Sequence, residues 1–106
     1  MLKPIFIRQD KLLKKINPEE VICLFTEENY TRIFLANKTY YMVRSSLSNA
    51  LKKLPPGMFI KIHRSFAASV YHIDSIDRDH LLVGDEPLPI AKQYYRSLLD
   101  KLNIIE

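Results

Sequence analysis

Phe59-Ile60-Lys61-Ile62-His63-Arg64-Ser65-Phe66 decides how the rest of the chain is read. Ile60 and Ile62 alternate with Phe59, Lys61 and His63, the period-two pattern of a strand with one buried face. If the alternation continued, Arg64 would enter the core, where an unpaired guanidinium is costly. The strand is therefore expected to end near His63. His63, Arg64 and Ser65 then form an exposed loop before Phe66 returns to the core. Loops carried on rigid scaffolds are where binding side chains concentrate.

Upstream of this stretch, Leu47, Ala50, Leu51 and Leu54 recur at i, i+3, i+4 and i+7. This predicts a short helix within 45–54, capped by a Ser, with lysines at its negative end and Pro55-Pro56-Gly57 stopping it. It is single-faced and poor in outward charge, which suits packing on a sheet better than reading DNA. Before it, 30–36 and 39–44 are rich in β-branched and aromatic residues and are separated only by Asn37-Lys38, a hairpin signal in which Asn tolerates positive φ. Val21 to Phe25 is a continuous apolar run, as in a strand covered on both faces, and Thr26-Glu27-Glu28-Asn29 breaks it. Two short strands, 5–7 and 11–16, precede a turn or short helical start at Asn17-Pro18.

Downstream, 70–76 is expected as a strand. Asp77 to His80 turns the chain into a strand at 81–83, and 84–87 turns it again. Pro89 marks 88–90 as an edge-like extended segment, because it cannot donate to a ladder. The tail, 91–103, is helical in pattern through Tyr95, Leu98, Leu99 and Leu102. The fold class expected from pattern alone is mainly β with one or two short helices.

With 106 residues the chain has room for one domain, 1–106, burying roughly 65% of its unfolded surface. A hydrophobic content of 47%, with six Tyr and five Phe, excludes disorder, and two Gly are too few for a Gly-rich phosphate loop. Cys23 is the sole cysteine, so a disulfide framework and a cysteine-based zinc site are excluded and a reducing compartment is expected. No apolar run approaches the ~20 residues of a membrane helix, and no signal-peptide pattern opens the chain. A cytoplasmic protein with no membrane partner is the expectation.

The formal charge is +4. From Tyr30 to Phe66 the chain carries Arg32, Lys38, Arg44, Lys52, Lys53, Lys61 and Arg64 and no Asp or Glu, while the acids lie before and after. Segregation of this kind is the footprint of a polyanion-binding surface; the plainer reading is a solvated one.

Catalysis is not expected. His63 and Ser65 are close in sequence, but side chains at a strand end point apart, and nothing marks an oxyanion hole. His63, His72 and His80 lack helical pairing or a clustered carboxylate partner, so neither metal nor cofactor is expected.

In order, the apolar strand, Glu28-Asn29-Tyr30-x-Arg32, the hairpin, the helix ending Leu54-Pro55-Pro56-Gly57, Phe59 to Phe66, Ile73-Asp74-Ser75-Ile76 and Leu88-Pro89-Ile90-Ala91-Lys92-x-Tyr94 resemble the LytTR DNA-binding domain. The resemblance spans about Ile5 to Leu102. It implies an elongated arrangement of small antiparallel sheets, used in bacterial transcription regulators, whose loops enter successive major grooves of double-stranded DNA. Members are often the output half of response regulators, so an upstream receiver or sensor domain and two copies on repeated half-sites are implied partners.

Carried over by position, the resemblance places Arg64 in the base-reading loop with Lys61, His63 and Ser65 as backbone or supporting contacts. Lys92 is a second base-reading point, and Thr31 or its neighbour Arg32 a third. Arg32 and Arg44, in the acid-free segment, join the backbone contacts. Ala68-Ser69 stands where Val-Asn is common in relatives, and Lys92 is often Arg, whose planar fork suits bidentate guanine contact better. Arg64 has that fork. The alternative is a basic-faced β module that binds RNA or a protein partner, with Phe and Tyr rings stacking on unpaired bases.

Overall fold

The computed structural model describes residues 3–106. Strands β1 (Ile5–Gln9) and β2 (Leu12–Ile16) form a separate hairpin. A single 3₁₀ turn, Pro18–Glu20, follows, and the Asn17 side chain accepts the Glu19 N–H at its start. Then come β3 (Val21–Glu27), β4 (Tyr30–Leu35), β5 (Tyr40–Val43), helix α1 (Leu47–Lys53), β6 (Phe59–His63) and β7 (Phe66–Ser69). The chain closes with β8 (Ile73–Ile76), β9 (His80–Val83), β10 (Glu86–Pro89) and helix α2 (Lys92–Asp100). All three sheets are antiparallel: β1-β2, a five-stranded sheet ordered β5-β4-β3-β7-β6, and β10-β9-β8. The molecule measures 48 × 32 × 23 Å, so the expected elongated, mainly β architecture is the one found.

The five-stranded sheet is the middle layer. One face carries Leu24, Ile33, Leu35 and Ala67, packed against Ile7 and Ile16 of the hairpin and Leu47 and Leu54 flanking and within α1. The other carries Cys23, Ile60, Ile62 and Ala68, packed against Leu81, Val83 and Leu88 of the outer sheet and Leu98 of α2. Consecutive residues therefore face opposite cores, which is why the centre of β3 is apolar without alternation. A bulge between Val21 and Cys23 returns Val21 to the Leu24 side. Each fully buried Leu or Ile in these layers contributes roughly 1.5–3 kcal/mol.

Strand β6 ends at His63, as its alternation requires, with Ile60 and Ile62 buried and Arg64 exposed. Helix α1 begins after Ser46, whose hydroxyl accepts the Asn49 N–H at 3.1 Å, and stops before Pro55.

Three expectations are corrected. β3 runs through Thr26 and Glu27, so the break is only Glu28-Asn29, with Glu28 at φ 56°. In the β4–β5 hairpin it is Lys38, not Asn37, that adopts positive φ, at 70°; the Asn37 side chain instead accepts the Thr39 N–H. The segment 70–76 is not one strand. Phe66–Ser69 pairs with both β3 and β6, the chain turns at 70–72, and β8 begins at Ile73. Completing the central sheet between two existing edges outweighed local propensity.

Candidate nucleic-acid interface

The turn between β6 and β7 is built from its own polar groups. His63 Nδ1 accepts the Ser65 N–H at 3.1 Å, and the ring meets Phe66 edge-on, with centroids 5.5 Å apart. The Ser65 carbonyl accepts the Thr26 N–H at 2.9 Å, tying the turn to the end of β3. His63 and Ser65 thus shape the turn, and Arg64 between them is exposed.

Arg64 and Lys61 line one side of a shallow groove. Glu28, Asn29 and Tyr30 from the β3–β4 corner, and Ser45, Ser46 and Ser48 from the start of α1, line the rest. The two basic residues and these hydroxyl and amide groups make a donor-rich surface of the kind that contacts phosphate oxygens and base edges. Lys92 is exposed at the first position of α2. The preceding residue, Ala91, donates its N–H to the Ile62 carbonyl at 2.9 Å, which sets Lys92 beside the end of β6 from which the Arg64 turn departs.

Thr31 does not stand in this groove. It is fully buried and its hydroxyl donates to the Ser45 carbonyl at 2.7 Å, so its expected place at a base edge is corrected. The signal was in the sequence: Thr31, Ile33 and Leu35 share one face of β4 at period two, and that face is the core. The side chains this corner offers to solvent are Glu28, Asn29 and Tyr30.

Arg32 is also engaged internally. Its guanidinium pairs with Glu27 at 2.6 Å and lies over the rings of Tyr40, at 4.2 Å, and Phe25, at 5.4 Å. Its Nε is buried without a partner. Arg32 is thus balanced within the protein by Glu27 and is not among the cations that line the groove. It caps a row of rings that crosses the sheet, Tyr40, Phe34, Phe25 and Phe66, with neighbouring centroids 5.6 to 5.9 Å apart. Arg44 is exposed but lines a different feature, an apolar cleft between β1 and α1.

Burial pushes the Cys23 thiol up to about 12, with a smaller contribution from the Glu86 charge, so it is not a ready nucleophile. Among the described residues no three His, Cys, Asp or Glu side chains converge on a possible metal site, and no helix is long and apolar enough to cross a membrane.

The profile of the LytTr DNA-binding domain family matches residues 11–103 of the chain. The sensory transduction protein LytT of Enterococcus faecalis is 27% identical over 95 residues, covering 84% of this chain and 39% of that protein. An uncharacterized response regulatory protein of Vibrio cholerae is 35% identical over 63 residues, covering 57% of this chain and 24% of its own length. The chain thus spans well under half of these relatives. The solved LytTr DNA-binding domain of a Bacillus cereus response regulator superposes with a TM-score of 0.80 at 21% identity, over 95% of this chain and 97% of that one, and so shares the fold.

Proposed function

Since the chain belongs to the LytTr DNA-binding domain family, we propose that it reads specific sites in double-stranded DNA as the output part of a bacterial response regulator, controlling transcription in the cytoplasm. The observation that carries this reading is the groove that joins Lys61 and Arg64 to the Asn29-Tyr30 corner, with Lys92 beside it. Arg64 takes a guanine edge through O6 and N7, and Lys92 takes a second base as a point charge. Asn29 has the amide that pairs with adenine N6 and N7, and it replaces Thr31 as the third reading point. Lys61 and the Ser45, Ser46 and Ser48 hydroxyls hold the phosphates. The loops at this end of the molecule enter successive major grooves.

The partly exposed ring row of Tyr40, Phe34, Phe25 and Phe66 favours a second reading, stacking on unpaired RNA bases. A carboxylate borders each surface, Glu27 the rings and Glu28 the groove, so the preference for duplex DNA rests on the family match and on the two cations, Lys61 and Arg64, that line the groove. Selection from random duplexes, followed by competition of the winner against single-stranded RNA, tests the choice. An enriched duplex motif that RNA does not displace is expected, with log affinity falling against log salt at about −0.9 per neutralised phosphate. No enrichment, or a flat salt dependence, would overturn it.

A further inference from the structure

We propose that the cleft between β1 and α1 binds a single-chain amphipathic carboxylate, a small molecule with an aliphatic tail and one anionic head. The cleft has a volume of about 580 Å³, inside the range of roughly 300–1,000 Å³ typical of small-molecule sites. Leu24, Ile33 and Val43 of the central sheet form its floor, and Ile7 and Ala50 stand on opposite walls. Ala50 explains the space. It is the one small residue in the Leu47, Ala50, Leu51, Leu54 face of α1, where a larger side chain would close the gap between helix and hairpin.

The rim supplies the head-group chemistry. Arg8, Arg44, Lys52 and Lys53 all line the cleft and all are exposed, and no Asp or Glu lines it. Among the described residues the one ion pair is Arg32 with Glu27, so these four cations have no carboxylate partner within the protein. Lys52 and Lys53 also lie in the last turn of α1. An apolar floor ringed by four uncompensated cations is complementary to an apolar tail with one negative end. A nucleic acid backbone matches the rim but leaves the floor unfilled. A neutral lipid matches the floor but leaves the rim without a counter-charge. The cleft adjoins the Arg64 groove through Ser45 but shares none of its cations, and it stands whether or not that turn reads DNA.

The test is a titration of the folded protein with decanoate, below its micelle concentration, followed by methyl NMR and calorimetry. Saturable one-to-one binding is expected, with shifts centred on the methyls of Ile7, Ile33 and Val43. Decyltrimethylammonium, with the same tail and the opposite charge, should bind at least about tenfold more weakly, as should decanoate to the variant Lys52→Glu/Lys53→Glu, since two nearby charges are reversed. Ala50→Phe should abolish binding by filling the cleft. If Ala50→Phe fails to fold, the exposed double lysine variant decides alone. The proposal is overturned by non-saturating binding, by equal binding of the cationic amphiphile, or by shifts centred elsewhere, such as on the exposed Leu12 and Leu13 of the hairpin. It is also overturned if polyglutamate occupies the cleft and decanoate does not, which would make the site a docking surface for an acidic protein.

Discussion

Arg64 hangs from a turn fastened at both ends, by His63 Nδ1 to the Ser65 N–H and by the Ser65 carbonyl to Thr26. None of these bonds uses its side chain. Arg64→Ala is therefore expected to lose about 1–3 kcal/mol of discrimination at one base pair, with little change in thermal midpoint because no core atom is removed. Lys92→Ala should do the same at another base pair, and the double variant should keep only salt-sensitive, sequence-indifferent binding. Quantitative binding to a panel of single-base variants of the selected site, with melting curves in parallel, checks both. An unfolded Arg64→Ala protein, or one with unchanged base preference, would assign Arg64 a structural role. Thr31 behaves in the opposite way. Thr31→Val keeps the shape but leaves the Ser45 carbonyl without its 2.7 Å donor, at a cost of about 1–3 kcal/mol in urea unfolding. Because Ser45 and Ser46 line the groove, affinity for all duplexes should fall alike while base preference stays.

Among the elements, the turn from β8 to β9 is held by Asp77, whose carboxylate accepts the N–H of His80 and of Asp79, each at 2.8 Å. These two bonds, the His80 one foremost, hold its pKa below the ordinary 3.8. A depressed folded pKa stabilises the native state above the ordinary value, and that stabilisation is lost as pH falls through the depressed one. Asp77→Ala should therefore be less stable than the parent near neutrality, with the difference narrowing in strong acid; urea unfolding across that range measures it. The elements themselves were largely legible where one physical rule dominated. The burial cost of Arg64 ended β6, and Pro55-Pro56 ended α1. What local pattern could not supply was β7, because Phe66–Ser69 is a strand through its partners β3 and β6 rather than through its own alternation. The same limit hid the groove, whose walls come from segments far apart in the chain and meet only after that pairing.

For the whole molecule, the three proposed reading points would limit what one copy can recognise. At about 1–3 kcal/mol per base pair they give roughly 3–9 kcal/mol, which at its lower end falls short of the roughly 4–10 kcal/mol of dedicated DNA readers. Useful selectivity is therefore expected from two copies on repeated half-sites about one helical turn apart. Stoichiometry and affinity on a single half-site and on the repeat test this, and equal affinity on both would count against it. The order of the sheet also has a kinetic consequence. Among the described residues, six of the seven strand pairings join neighbours along the chain, while β3 with β7 joins Cys23 to Ala68. Hairpins between neighbours close in roughly 1–10 μs, whereas the distant pair must first close a long loop, so it sets the refolding rate. Ala68→Gly should slow refolding in stopped-flow experiments, while Ile7→Val in the outlying hairpin should mainly quicken unfolding. The bond from Thr26 to Ser65 lies at the end of that same late pairing. The Arg64 turn thus acquires its shape only as the chain completes its fold, and partly folded chains would lack the proposed reading turn.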